Sequence, residues 1–183
     1  MGVTSALPRS RPLTYDDLQA LPDDDGHRYE LVDGVLIVTP APKWQHQRAV
    51  GNLHLLLRAT CPPDVEVLLA PFDVVLSPVT VLEPDVLVAR RADLTEANLP
   101  APPVLAVEVL SPSTRRIDLG TKKLAFEAAG VPSYWVVDPD EPSLVAFELE
   151  GGAYREVAHV GGEEAWSATR PFAVRVVPAE LVR

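Results

Sequence analysis

Apolar positions along this chain follow two rhythms, and each marks a different kind of element. His46, Val50, Leu53 and Leu57 recur at helical spacing and predict a helix over residues 43–59, which Cys61-Pro62-Pro63 ends. A second stretch, 117–129, repeats the pattern and closes at Gly130-Val131-Pro132, where glycine offers the left-handed cap and proline forbids continuation. Thr14 before Tyr15-Asp16-Asp17-Leu18 predicts a short capped helix over 15–21. The other rhythm is that of strands. Residues 29–32 and 35–38 flank Asp33-Gly34, a strong hairpin signal. Further strands are expected over 65–69, 72–76, 81–88, 104–110 and 134–138, with a short helix over 94–99 in one connection. Segments 144–149, 154–158 and 172–177 add a β-rich end, with Gly151-Gly152 at a hairpin turn. Strands gathered between two principal helices predict an α/β fold, a mixed sheet flanked by helices with extra β-hairpins. Residues 1–12 lack periodicity and read as a loose tail, so 13–183 are expected to form a single domain.

Composition changes this picture little, and charge changes it more. Hydrophobic residues make up 47% and charged ones 23%, ordinary for a water-soluble domain of 183 residues. No apolar run is long enough to span a bilayer, and the start lacks a basic segment followed by an apolar one, so neither membrane insertion nor export is expected. Cys61 is the sole cysteine, which excludes an internal disulfide or a thiolate zinc site and makes the reducing cytoplasm the expected compartment. The net charge of −10 opposes general nucleic-acid binding, which needs clustered Lys and Arg. Basic residues do gather locally, at Arg115, Arg116, Lys122 and Lys123 and at Lys43, Arg48 and Arg58, and a field depends on where charges lie.

Two acids break the strand pattern. Asp85 lies in Leu82-Glu83-Pro84-Asp85-Val86-Leu87-Val88, and Glu108 in Val104-Leu105-Ala106-Val107-Glu108-Val109-Leu110. A carboxylate inside such a run costs several kcal/mol unless a positive group meets it, and a shared divalent cation serves two at once. The blander reading of Asp85 is a turn residue after Pro84, and that of Glu108 an edge-strand residue in water. Alternation sets Glu108 on the face opposite Val107 and Val109. Winding 119–129 at the helical angle puts Lys122 amid Leu119, Ala125, Phe126 and Ala129, an apolar stripe where an ammonium needs an anionic partner. The competing reading is an ion pair with Asp118, one turn earlier. Glu30 alternates away from Tyr29 and Leu31, and taken alone is an exposed strand residue. His46 heads the stripe of the long helix as a hydrogen-bonded structural residue, and His27, His54 and His159 form no ligand spacing with it. Neither a nucleophile elbow nor a phosphate-loop or dinucleotide fingerprint is present.

The segments Tyr29-Glu30-Leu31-Val32-Asp33-Gly34, Trp44-Gln45-His46-Gln47, Glu83-Pro84-Asp85-Val86 and Val107-Glu108-Val109-Leu110-Ser111-Pro112-Ser113-Thr114 carry a resemblance, as does the run from Asp118 through Lys122 to Pro139. Together the chain resembles the Uma-type group of putative restriction endonucleases, within the PD-(D/E)XK nuclease superfamily. The resemblance implies a restriction-endonuclease-like core in which Asp85 and Glu108 hold Mg²⁺ or Mn²⁺, Lys122 serves catalysis and Glu30 is an accessory acid. The superfamily's lysine sits two residues after the second acid, where this chain has Leu110. The Uma-type group is similar in carrying it on the following helix, which matches Lys122. The implied activity is metal-dependent hydrolysis of nucleic-acid phosphodiesters, DNA first, with target choice left to a partner, a homodimer or the loops of the cleft. Asp85→Ala or Lys122→Ala is then expected to abolish Mg²⁺-dependent nicking and leave the fold intact. The opposing class is a nuclease-like module that binds a protein or nucleic acid without catalysis. A third reading spends the acids on structural ion pairs with Arg115 or Arg116.

Overall fold

The computed structural model describes residues 11–21 and 26–183, so nearly all of the expected N-terminal tail lies outside the described residues. Asp33 and Gly34 take positive φ, 51° and 76°, and turn strand β1 (His27–Val32) directly into β2 (Val35–Pro40), as the Asp-Gly signal predicts. A short helix, α1 (Tyr15–Gln19), precedes them. The long helix α2 (Trp44–Thr60) buries His46, Ala49, Val50, Leu53 and Leu57 along one side, the stripe read from its spacing. Next come β3 (Val65–Leu69), β4 (Asp73–Ser77), β5 (Thr80–Leu82), β6 (Val86–Arg90), β7 (Asn98–Leu99) and β8 (Leu105–Val109). A wide π-helical turn, Ile117–Lys122, runs straight into α3 (Lys123–Ala128). Strand β9 (Ser133–Asp138), the hairpin of β10 (Ser143–Glu150) and β11 (Ala153–Gly161), the small hairpin of β12 (Trp166–Ala168) and β13 (Val174–Val176), and the last helix α4 (Pro178–Leu181) complete the chain.

The result is a mixed α/β fold. One sheet has six strands in the order β11-β10-β9-β8-β6-β3, and a second has five, β2-β1-β5-β4-β7. Pairing in the larger sheet is antiparallel except between β8 and β9, whose connection is the π turn and α3. Side chains alternate across this sheet. Val86, Val88, Leu105, Val107, Val109, Trp135 and Val137 pack with α2, and Ala106, Leu110, Tyr134 and Val136 pack on the other side with Phe126 of α3 and with Val32 and Leu82 of the second sheet. Burying both faces is why β8 and β9 read as nearly unbroken apolar runs. The smaller sheet turns Leu31 and Val81 toward Leu13 and Leu18 around α1.

Three expectations are corrected. Residues 81–88 are two strands in two different sheets, because Pro84 has no N–H to continue a ladder and the chain crosses between sheets at Glu83-Pro84-Asp85. The helix expected over 94–99 is instead a 3₁₀ turn at Arg91–Asp93 followed by the two-residue β7. The expected helix over 117–129 opens as a π turn, which leaves Leu119 exposed and brings Asp118 inward beside Lys122 and Phe126. Its end is as expected. Gly130 takes φ +79°, and the amides of Gly130 and Val131 bond back to the carbonyls of Glu127 and Phe126.

Candidate active site

The register of β6 against β8 pairs Val86 with Val107, and Asp85, in the bend just before β6, lies beside the next residues of β8, where the Val109 amide donates to it. Since Val86 and Val107 face α2, both acids point to the other side, toward the second sheet. The bend at Asp85 is thus the turn residue of the blander reading and also a neighbour of β8. Arg28 and Glu30 alternate on the inward face of β1 with Val32, so the smaller sheet lays them over the same place. Glu30 is fully buried, which corrects its reading as an exposed strand residue.

Lys122 joins these groups from the π turn. Its Nζ lies 2.8 Å from Glu30 Oε2 and 3.1 Å from Glu108 Oε1, and 3.7 Å from Asp118 Oδ1. The ion pair with Asp118 and the meeting with the strand acids, weighed as competitors, coexist. Glu30 is fixed at its other oxygen, Oε1, by the Glu83 amide at 2.8 Å. Asp85 is held separately. Arg28 Nη2 donates to Oδ1 at 3.0 Å, and the Val109 amide donates to Oδ2 at 2.8 Å. His46 Nε2 lies 3.1 Å from Oδ2, and because an ionised carboxylate only accepts, that nitrogen carries the hydrogen. Arg115 instead pairs with Asp138, so the arginine on the acids is Arg28 and neither Arg115 nor Arg116.

Burial raises the pKa of Asp85, but the His46 hydrogen bond and the Arg28 charge outweigh it and bring the group down to about 2. For Glu108 burial wins despite Lys122, and its pKa lies well above the ordinary carboxylate value. Burial likewise lifts Asp118 to about 6 and Glu83 to about 7. Lys122 is pushed down by burial, yet Glu108, Glu30 and Asp118 together raise it above the normal lysine value. The surplus is anionic. Glu30, Glu83, Asp85, Glu108 and Asp118 face Arg28, Lys122 and the imidazole of His46.

These groups are not sealed off. A cleft of about 320 Å³ is lined by Asp85, Glu108, Asp118, Lys122, Arg28 and His46, with Lys43 and the Ser111–Thr114 loop at its walls. No group of three or more His, Cys, Asp or Glu among the described residues is arranged to hold a metal ion. A two-carboxylate seat in an anionic, open cleft nonetheless fits a hard cation such as Mg²⁺, which keeps several waters and takes one or two carboxylates plus substrate phosphate. The two carboxylates are thus of a chemistry that suits a hard divalent cation.

A family model for Uma2, described as a putative restriction endonuclease, matches residues 15–179. The chain belongs to the Uma2 family. A crystal structure of a putative nuclease of the DUF820 group from Anabaena variabilis ATCC 29413 superposes with a TM-score of 0.76 over 93% of this chain and 98% of that one, at 18% identity. That likeness gives the Uma2 chain a nuclease-type fold. No curated protein matches it. None of its helices, among the described residues, is long and apolar enough to cross a membrane.

Sequence reasoning overlooked Arg28 and the part played by Glu83 in this Uma2 site. Arg28 stands two residues before Glu30 on one strand face, and that spacing is the signal that could have found it.

Proposed function

We propose that this protein is a metal-dependent endonuclease that hydrolyses nucleic-acid phosphodiesters, with DNA the first substrate to test. The observation that carries the reading is the convergence of Asp85, Glu108 and Lys122, from three separate elements, on one open cleft. Asp85 and Glu108 would hold Mg²⁺ or Mn²⁺, which supplies an activated water and offsets charge on the scissile phosphate. Asp85 enters that role fully ionised and with a fixed orientation, since His46 and the Val109 amide both hold Oδ2. Lys122 keeps its proton firmly among three carboxylates, so it serves as a hydrogen-bond donor to the developing anion and is unsuited to act as the base. Glu30 is the positioning residue of that ammonium and is itself anchored by the Glu83 amide. Binding comes from few contacts. Arg48 lies over the Trp44 ring and Lys123 over the Phe147 ring, Arg58 pairs with Glu66, and Lys43 lines the cleft beside Arg28 and Lys122, which are engaged with the acids.

The test is incubation of purified protein with supercoiled plasmid, single-stranded DNA and RNA in Mg²⁺ or Mn²⁺. Wild type is expected to nick in a metal-dependent manner, and Asp85→Asn and Glu108→Gln to lose at least about a hundredfold of that rate, the scale of a removed electrostatic group. Absence of cleavage on every substrate with either metal would overturn the reading.

A further inference from the structure

Arg28 occupies the proposed site with no place in the chemistry above. Its side chain bridges two acids. Nη2 donates to Asp85 Oδ1 at 3.0 Å, Nη1 donates to the Glu83 carbonyl at 3.0 Å, and Nε lies 3.9 Å from the Glu83 carboxylate Oε2. The last distance is an ion pair without a hydrogen bond, and among the described residues Glu83 Oε2 is buried without a hydrogen-bond partner, with the Asp73 carboxyl facing the same side chain. An unmatched buried carboxylate oxygen beside a five-donor fork is an acceptor waiting for a donor. Arg28 and Glu83 also line a second cleft of about 570 Å³, and Arg28 with Pro40, Ala41 and Pro42 forms the wall common to both clefts. The guanidinium therefore has room and a second seat at Glu83, on the side of the second cleft, where Asp73 also faces it.

We propose that Arg28 is the resident counter-ion of Asp85, docked there while the divalent cation is away and transferred to Glu83 when the cation binds, so that the Arg28–Glu83 pair sets cation affinity. This rests on the reading of Asp85 as a cation ligand. Two positive groups cannot share one Asp85 oxygen without strong repulsion, because like charges in a site this buried are poorly screened. Removing Arg28 without a substitute would leave Asp85 uncompensated, which explains why a cation of the chain's own stands there. The bond from Nη1 to the Glu83 carbonyl already ties the guanidinium to Glu83 and serves as the pivot. Any shift of such a two-state side chain follows from the difference in affinity for its two states.

Mn²⁺ binding to the full chain, read from loss of the free-ion paramagnetic signal and from the rise in melting temperature, tests this in a four-member cycle. Arg28→Met is expected to bind Mn²⁺ about tenfold tighter than wild type, within the usual range for coupled equilibria. Glu83→Gln is expected to bind it about tenfold more weakly. In the Arg28→Met background Glu83→Gln should change nothing, because the residue it receives is gone. Should the methionine variant fail to fold, Arg28→Gln, which can still hydrogen-bond Asp85 and the Glu83 carbonyl, takes its place. Unchanged or weaker binding on loss of Arg28, or an equal effect of Glu83→Gln in both backgrounds, overturns the exchange while leaving the nuclease reading standing. Failure of all four proteins to bind Mn²⁺ overturns both.

Discussion

Lys122 is 3% exposed and touches three carboxylates, so it neutralises buried charge as well as serving any chemistry. Replacing it with Met leaves the buried Glu30 and Glu108 without their cation, and we expect a loss of about 3–5 kcal/mol in urea unfolding at neutral pH. This revises the expectation that Lys122→Ala would leave the fold intact. The inward position of Lys122 agrees with the winding of its stripe, but Leu119 of the same predicted stripe is exposed, because the segment is a π turn rather than the α-helix assumed. The burial of Glu30 was not legible. Alternation told which way Glu30 points, but what covers that face is the larger sheet, brought there by pairings far along the chain. His46 was read as a hydrogen-bonded structural residue, and its bond to Asp85 agrees; that the partner is a candidate ligand depends on contacts no local spacing encodes.

At the scale of elements, tight turns and apolar stripes were legible and interruptions were not. The β1–β2 turn shows why the Asp-Gly signal was reliable. Gly34 sits at φ +76°, and a Cβ there would stand 2.3 Å from Pro12 Cβ and 2.8 Å from its Cα. The Gly34 carbonyl accepts from Leu13, and its amide donates to the Val79 carbonyl, so the turn cannot drift away from its neighbours. Gly34→Ala is expected to cost about 1–3 kcal/mol in thermal or urea unfolding through overpacking and backbone strain together. A cost below about 0.5 kcal/mol, the ordinary surface range, would show that the Pro12 segment yields freely. The break at Glu83-Pro84-Asp85 was legible only as the turn reading of Asp85 after Pro84, because both flanking runs are apolar and sheet membership is what separates β5 from β6. The π turn was hidden, since hydrophobic spacing does not distinguish a wide turn from an α turn over so few residues. Tyr134 Oη helps hold it, donating to the Asp118 carbonyl at 2.8 Å.

Across the whole molecule, the acids of the cleft oppose one another and should write their mark on stability against pH. Burial lifts Asp118 from 3.8 to about 6 and Glu83 from 4.5 to about 7, and lifts Glu108 well above 4.5. An acid with a raised pKa binds its proton more tightly when folded, so its contribution is full below the ordinary value and is lost as pH climbs through the raised one. Asp85 has the opposite sign, and its contribution disappears as pH falls from 3.8 through about 2. Metal-free protein is therefore expected to be most stable near pH 4 and to weaken toward about pH 7, as measured by urea midpoints across that window. A midpoint that rises over the same window would show that these carboxylates are less confined than their burial implies.

The order of these groups along the polypeptide matters before folding is finished. Glu30, Asp85 and Glu108 all leave the ribosome ahead of Lys122, and the strand β9 that β8 pairs with follows later still. An unfinished chain thus carries the anions without the ammonium that makes their sequestration affordable, and it lacks β9, one of the two strands that flank β8. The proposed site can therefore assemble only after Lys122 and β9 have been made, well past the middle of the chain.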